Sequence, residues 1–179
     1  MKELKVLEGV YSPREDSFLL EECVKKYAHG KVLDLGTGSG IQGVAAALKG
    51  CEVTFSDINP KAIVCARANA IANGVVGRFV LGDMFQNIMG KYDTIIFNPP
   101  YVPTDKLEDI ATDGGKAGRG LIDRFWGVFG EYVSDCFTVL ILESSLNGYE
   151  NDIIRFGAKV VARRDFDFED IAVLMLEGK

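Results

Sequence analysis

From residue 31 the chain alternates short apolar runs with helical stretches, and this alternation, more than any single motif, limits what it can fold into. Residues 31–35 read as a strand, 41–49 as a helix and 52–56 as a second strand. The next helix has Asn59 as its cap and Pro60 as its first residue, and it ends at Asn73-Gly74. Strands follow at 77–81 and 92–97. The second contains Thr94-Ile95-Ile96-Phe97, apolar enough to be buried on both faces. A polar, glycine-rich loop over 104–118 precedes a helix over about 119–134, a strand at 137–142, a helix near 149–156 and two closing strands, 159–163 and 171–176. The connection between the closing strands is too short for a parallel crossover, so they pair antiparallel. The expected fold class is α/β: a seven-stranded, mostly parallel sheet with one antiparallel strand and helices on both faces.

Ahead of this pattern, Ser12-Pro13-Arg14-Glu15 has the spacing of a capping box, with Ser12 as cap, Pro13 first in the helix and Glu15 third. The helix should run to about Ala28, with Leu19, Leu20, Cys23, Val24 and Tyr27 on one face and His29-Gly30 closing its last turn. That gives His29, the only histidine, a place at a helix end and no ligand role.

At 179 residues and 47% hydrophobic, the chain suits one domain spanning 1–179. No apolar run approaches the roughly 20 residues of a membrane span, and residues 1–10 do not resemble a signal peptide. The expectation is a cytoplasmic protein without a membrane partner. Cys23, Cys51, Cys65 and Cys136 show no C-x-x-C spacing, so neither a zinc site nor a disulfide framework is implied, and core positions are expected for all of them. A net charge of -6 argues against broad contact with a nucleic-acid backbone. Arg163-Arg164, and Lys116 with Arg119, remain as local basic patches that could meet phosphate.

Asp34-Leu35-Gly36-Thr37-Gly38-Ser39-Gly40 falls on the turn from the first strand to its helix, where glycines let the backbone approach a ligand that faces helix N–H groups. Gly38 to Gly43 spells G-x-G-x-x-G, and Asp57 ends the second strand near the place of a ribose contact, so an NAD site is one reading. The chain has little length left for the second half such an enzyme needs. At the end of the fourth strand stands Asn98-Pro99-Pro100-Tyr101. Consecutive prolines stiffen the backbone. The Asn98 side-chain oxygen and the Pro99 carbonyl then make two fixed acceptors for an NH2 group, with Tyr101 as a stacking face.

This Asn-Pro-Pro-Tyr segment resembles the acceptor site of class I, Rossmann-like S-adenosylmethionine-dependent methyltransferases acting on planar amino groups. The lead-in from Tyr11 to Leu20 and the string from Asp113 to Arg119, with Asp123-Arg124-Phe125, are similar to those of HemK-type release factor glutamine N5-methyltransferases of the short archaeal and eukaryotic branch. The resemblance implies the strand order, with the first and fourth strands adjacent at the centre and the third at an edge. It implies S-adenosyl-L-methionine as cofactor and S-adenosyl-L-homocysteine as product. Ser17, Asp34, Gly36, Gly38, Asp57, Asp83, Met84 and Asn98 would bind that cofactor: Asp34 and Gly36 beside the methionine moiety, Asp57 at the ribose, Asp83 and Met84 at adenine. Asn98, Pro99, Pro100 and Tyr101 would hold the substrate amide.

The implied reaction is methyl transfer to the side-chain amide nitrogen of a glutamine in the Gly-Gly-Gln motif of a class I translation release factor. Two alternatives stay open, an adenine N6-methyltransferase on DNA or RNA and a non-catalytic S-adenosylmethionine-binding subunit. Bacterial members carry an N-terminal helical domain, and only one helix precedes the first strand here, so docking is expected from loops or another protein. The resemblance also implies a small zinc-binding activator subunit on the third-strand edge, at Phe79 and Val80, with Phe79 filling a pocket in the partner.

Overall fold

The computed structural model describes residues 2, 4–100 and 118–178. In chain order the elements are α1 (Glu15–Tyr27), β1 (Lys31–Leu35), α2 (Ile41–Leu48), β2 (Glu52–Asp57), α3 (Pro60–Ala72), β3 (Arg78–Leu81), β4 (Tyr92–Phe97), α4 (Gly120–Val128), β5 (Val133–Ser144), α5 (Glu150–Phe156), β6 (Lys159–Asp165) and β7 (Asp170–Gly178). The strands form one sheet in the order β3-β2-β1-β4-β5-β7-β6. Pairing is parallel from β3 through β5, and β7 runs antiparallel to both β5 and β6. The fold class and the central β1–β4 pair are as expected.

Because strand side chains alternate, each central strand feeds two cores. Val32, Ile96, Leu140 and Val173 pack towards α1, α2 and α3, against residues such as Leu20, Val44 and Ala66. Leu33, Ile95, Val139 and Leu174 pack the other way, against Ile122, Phe125 and Trp126 of α4. Fully burying each such side chain contributes about 1.5–3 kcal/mol. Both faces of the sheet are therefore covered, and its strand ends are left for function.

Several local expectations are corrected. Ser12 does not cap a helix; α1 starts at Glu15 behind Arg14, with no side-chain cap. Pro13 biases Ser12 to extended backbone, and the Tyr11 hydroxyl reaches forward to Asp16 Oδ1 at 3.1 Å, so the lead-in is tied to the first turn as a strap. At the other end α1 stops at Tyr27, and Lys49 Nζ donates to the Ala28 carbonyl at 2.8 Å. His29 lies beyond the helix, its backbone N–H donating to Thr94 Oγ1 and its ring beside Thr138 Oγ1.

The helix expected to reach residue 134 ends at Val128, followed by a 3-10 turn over Phe129–Glu131, and β5 begins at Val133. Tyr92 pairs with Val133 but Thr94 pairs with Thr138, so an irregularity takes up the intervening residues. Cys136 falls in that stretch and is exposed, unlike buried Cys23 and Cys65; Cys51 is half-buried. Arg119 is no free basic patch. Its guanidinium donates to Asp123 and Asp152, and Nη1 lies 3.6 Å from buried Glu143. Arg163 pairs with Asp165 and Asp170. Lys116 lies outside the described residues, among which no helix is long and apolar enough to cross a membrane.

At the β3 edge the Phe79 ring is half-buried and turned towards its own sheet, not out to a partner. It stacks on Phe55 at 4.8 Å with the Arg67 guanidinium above it, and Val80 is buried. Gly77, expected in the strand, precedes it; a Cβ there would meet the Phe55 ring and the Val53 carbonyl.

Candidate active site

A cavity of about 540 Å³ opens at the C-terminal ends of β1 to β4, within the usual range for small-molecule sites. Ser17, Asp34, Gly36, Gly38, Asp57, Asp83, Met84, Asn98 and Pro100 all line it. Pro99, between Asn98 and Pro100, is buried and is not itself a lining residue, and Tyr101 lies outside the described residues, as does most of the glycine loop that follows.

Its floor is the turn after β1. Asp34, buried, accepts from Thr37 Oγ1 at 2.5 Å and from the Gly43 N–H at 2.9 Å, which ties strand, turn and helix together. Gly38 and Gly40 have φ of +53° and +85°, a left-handed backbone that side chains resist. A Cβ on Gly38 would stand in open space, whereas one on Gly40 would press on Ala66 at 3.0 Å. Gly43 lets the Phe55 ring reach α2, so all three glycines of the G-x-G-x-x-G string have local reasons. The NAD reading does not survive the topology. A dinucleotide fold continues its parallel order after the fifth strand, and here reversed β7 sits between β5 and β6.

Asp57 accepts the Gly38 N–H with Oδ2 at 2.9 Å and the Asn59 N–H with Oδ1 at 2.8 Å. Each oxygen keeps a lone pair for a ligand hydroxyl. Burial pushes the Asp57 carboxyl above the ordinary range against those backbone bonds. It pushes Asp34 further, to about 7, again chiefly by burial, with the Asp57 charge adding to it. On the far wall Met84 holds φ of +51°, uncommon for a side-chain-bearing residue. Asp83 accepts from Arg124 of α4 at 2.7 Å, an exposed pair that leaves the carboxylate at the rim.

Asn98 is joined to a residue that the sequence pattern did not single out. Its Nδ2 donates to Asp16 Oδ2 at 2.9 Å, across 82 positions of chain, and Asp16 Oδ1 also accepts from Tyr11 and from Ser17 Oγ. Asp16 is 3% exposed. A carboxylate can only accept, so it fixes the amide with nitrogen towards Asp16 and oxygen away. That oxygen, Asn98 Oδ1, is buried and has no partner among the described residues. Near Asp16 in sequence a carboxylate in a first helical turn is explained by the helix dipole alone, which hides its contact with the fourth strand. Gln42 was missed as well. It is buried on α2, and its Nε2 donates to the Ser17 carbonyl at 2.8 Å.

The sheet with its reversed β7, the glycine turn and the cavity at the strand ends define a class I methyltransferase fold. The Thermus thermophilus 16S rRNA N2 G1207 methyltransferase in complex with AdoMet and guanosine shares it, with a TM-score of 0.69 and 18% identity over 94% of this chain and 44% of that one, a likeness of fold alone.

The model of the Methyltransferase small domain family matches residues 2–113, and the chain belongs to that family. A Methanocaldococcus jannaschii protein provisionally named a protein N5-glutamine methyltransferase is 39% identical, over 96% of this chain and 93% of its own length. A release factor glutamine methyltransferase of Fusobacterium nucleatum is 38% identical over 59% of this chain, a match that spans 32% of that protein.

Proposed function

We propose that this methyltransferase moves the methyl group of S-adenosylmethionine to the side-chain amide nitrogen of a glutamine, in the Gly-Gly-Gln motif of a class I translation release factor. The name of the Methanocaldococcus relative supports a protein glutamine as acceptor, and that of the Fusobacterium relative a release factor. The observation that carries the reading is Asn98, an amide locked by buried Asp16 with its acceptor unpaired among the described residues at the end of β4. An orphaned buried acceptor costs about 1–3 kcal/mol. A substrate NH2 group would supply its missing donor.

The cavity fits the cofactor: its volume is right, Asp57 can accept a ribose diol, and buried carboxylates favour cationic groups. When bound, S-adenosylmethionine supplies an electrophilic methyl and leaves as the neutral thioether. The chain's own residues have a positioning task. Asn98 Oδ1 and the Pro99 carbonyl take the two amide hydrogens, which aims the nitrogen and stabilises the positive charge growing on it. The surplus proton leaves to solvent after transfer, so no general base is needed before attack. With purified release factor and labelled cofactor, label should enter the wild-type factor and not one with Glu replacing the motif glutamine. Label entering adenine of a duplex oligonucleotide in its place would overturn the assignment.

Binding should depend on pH. Free, folded protein holds a proton on Asp34 up to about pH 7, whereas an unfolded chain releases it near 4. The associated stability is thus full below about pH 4 and is lost as pH rises towards 7. The α-ammonium at the methionine end of the ligand prefers the carboxylate, so placing it beside Asp34 must expel that proton. Affinity for S-adenosylhomocysteine should therefore climb from pH 5 to 7 by up to about one decade per unit and then level off. Calorimetry giving a flat profile across that interval would show that Asp34 does not face the ligand's charge.

We also propose that the free edge of β3 receives the small zinc-binding activator which the family resemblance implies. Among the described residues β3 pairs only with β2; it carries no proline, and exposed Val76, Leu81 and, on α3, Ile71 lie at it. With Phe79 and Val80 turned inward, those three side chains would meet the partner. Leu81→Asp with Val76→Asp should abolish co-purification while the melting temperature stays near that of the wild type. Undiminished co-purification would move the partner site elsewhere.

A further inference from the structure

Four buried side-chain polar atoms lack a partner among the described residues: Gln42 Oε1, Ser56 Oγ, Asn98 Oδ1 and Glu143 Oε2. The first three belong to residues lining the one cavity described above. Asn98 already has a task there. Gln42 does not, and it is the one polar side chain of α2, whose other residues are Ile, Gly, Val, Ala and Leu.

Gln42 is 3% exposed. Its orientation is not arbitrary, because Nε2 donates to the Ser17 carbonyl at 2.8 Å, and a flipped amide would set two carbonyl oxygens against each other. Oε1 is therefore held away from Ser17 as a fixed acceptor that needs a donor. In the cofactor reading, on which this inference rests, the ribose hydroxyls belong to Asp57 and the adenine amino group to Asp83 and Met84. The remaining donor is the α-ammonium of the methionine end; Gln42 lines the cavity with Ser17 and Asp34, and its neighbour Gly43 donates to Asp34, beside the turn that would receive that end.

We propose that Gln42 binds this ammonium through Oε1 and links its presence to the acceptor clamp. The link is a chain of hydrogen bonds. Gln42 holds the Ser17 carbonyl, Ser17 Oγ donates to Asp16 Oδ1 at 3.3 Å, and Asp16 Oδ2 accepts from Asn98 at 2.9 Å. A cofactor that pins the Gln42 amide thereby fixes the first turn of α1, which carries Asp16 and so sets the direction of Asn98. The methyl donor's own amino group would favour a clamp that is ready for substrate.

The test compares S-adenosylhomocysteine with its des-amino analogue, 5′-S-(3-carboxypropyl)-5′-thioadenosine, by calorimetry on wild type and Gln42→Met. Wild type should prefer the amino ligand, and Gln42→Met should narrow that preference by about tenfold or more, the size of a hydrogen bond to a charged group. Full wild-type preference in a folded Gln42→Met variant would overturn the proposal. A second measurement needs no variant: the side-chain NH2 resonances of Gln42 and Asn98 in ¹⁵N-labelled wild type should move with S-adenosylhomocysteine and not with the analogue. Equal movement with both ligands would equally overturn it. If wild type bound neither ligand, the cofactor reading would fail together with this one, whereas loss of the Gln42 dependence alone leaves that reading intact.

Discussion

Asn98→Ala should turn over at least about 100-fold more slowly than wild type while keeping its affinity for S-adenosylhomocysteine, the order of effect when one preorganised transition-state hydrogen bond is deleted. The reason lies in where the residue's two ends go. Nδ2 is spent on buried Asp16 and contributes orientation, and Oδ1, without a partner among the described residues, is left for an NH2 group. Removing the amide also leaves the Asp16 carboxylate, among the described residues, with only Tyr11 and Ser17, so some stability should be lost, about 1–3 kcal/mol for a buried group deprived of a bond. Assays must therefore be run well below the variant's melting temperature. Near wild-type turnover in a folded Asn98→Ala protein would remove the clamp from the mechanism.

The second large effect is expected at Asp57, and on affinity instead of rate. Asp57→Ala should weaken S-adenosylhomocysteine binding by about 1.5–3 kcal/mol for the lost charge-assisted bond to a ribose hydroxyl. A further loss should come from the site itself. The carboxylate holds the Gly38 and Asn59 N–H groups, and without it the left-handed turn at Gly38 and the start of α3 lose an anchor. Asp57→Asn separates the two contributions, since an amide keeps one oxygen acceptor. It should recover part of the affinity. If calorimetry gave Asp57→Ala the affinity of the wild type, the residue would be a backbone cap and nothing more.

Much of this was legible in the sequence because the central strands are apolar on both faces. β1 and β4 fall where their hydrophobic runs place them, at Lys31–Leu35 and Tyr92–Phe97. α3 follows its cap, with the Asn59 side chain accepting from the Lys61 N–H. Signals that rest on local pattern alone did worse. Ser12 had the spacing of a cap, yet Pro13 and the Tyr11 to Asp16 contact carry the chain past it before α1 begins. The boundary between α4 and β5 was lost because residues 129–137 are set by aromatic packing and an irregular register with β4, neither of which has a period.

At the candidate site the same division holds. The glycine turn, Asp57 and Asn98 announce themselves by residue type at a strand end. Asp16 and Gln42 do not, since a helix-start carboxylate and a helical glutamine are ordinary locally, and their partners lie 82 and 25 positions away. Phe79 shows the opposite error. An aromatic on an edge strand looked free for a partner, but Phe55 on the neighbouring strand had already taken its face.

The central claim is that the nitrogen acceptor is a glutamine amide held by Asn98. The most direct measurement is to incubate the protein with labelled S-adenosylmethionine and a cell extract, then locate the labelled residue by mass spectrometry. The account predicts label on the glutamine of a Gly-Gly-Gln sequence in a release factor, lost when the enzyme carries Asn98→Ala. Label on adenine of nucleic acid, or on a protein residue other than glutamine, would contradict it.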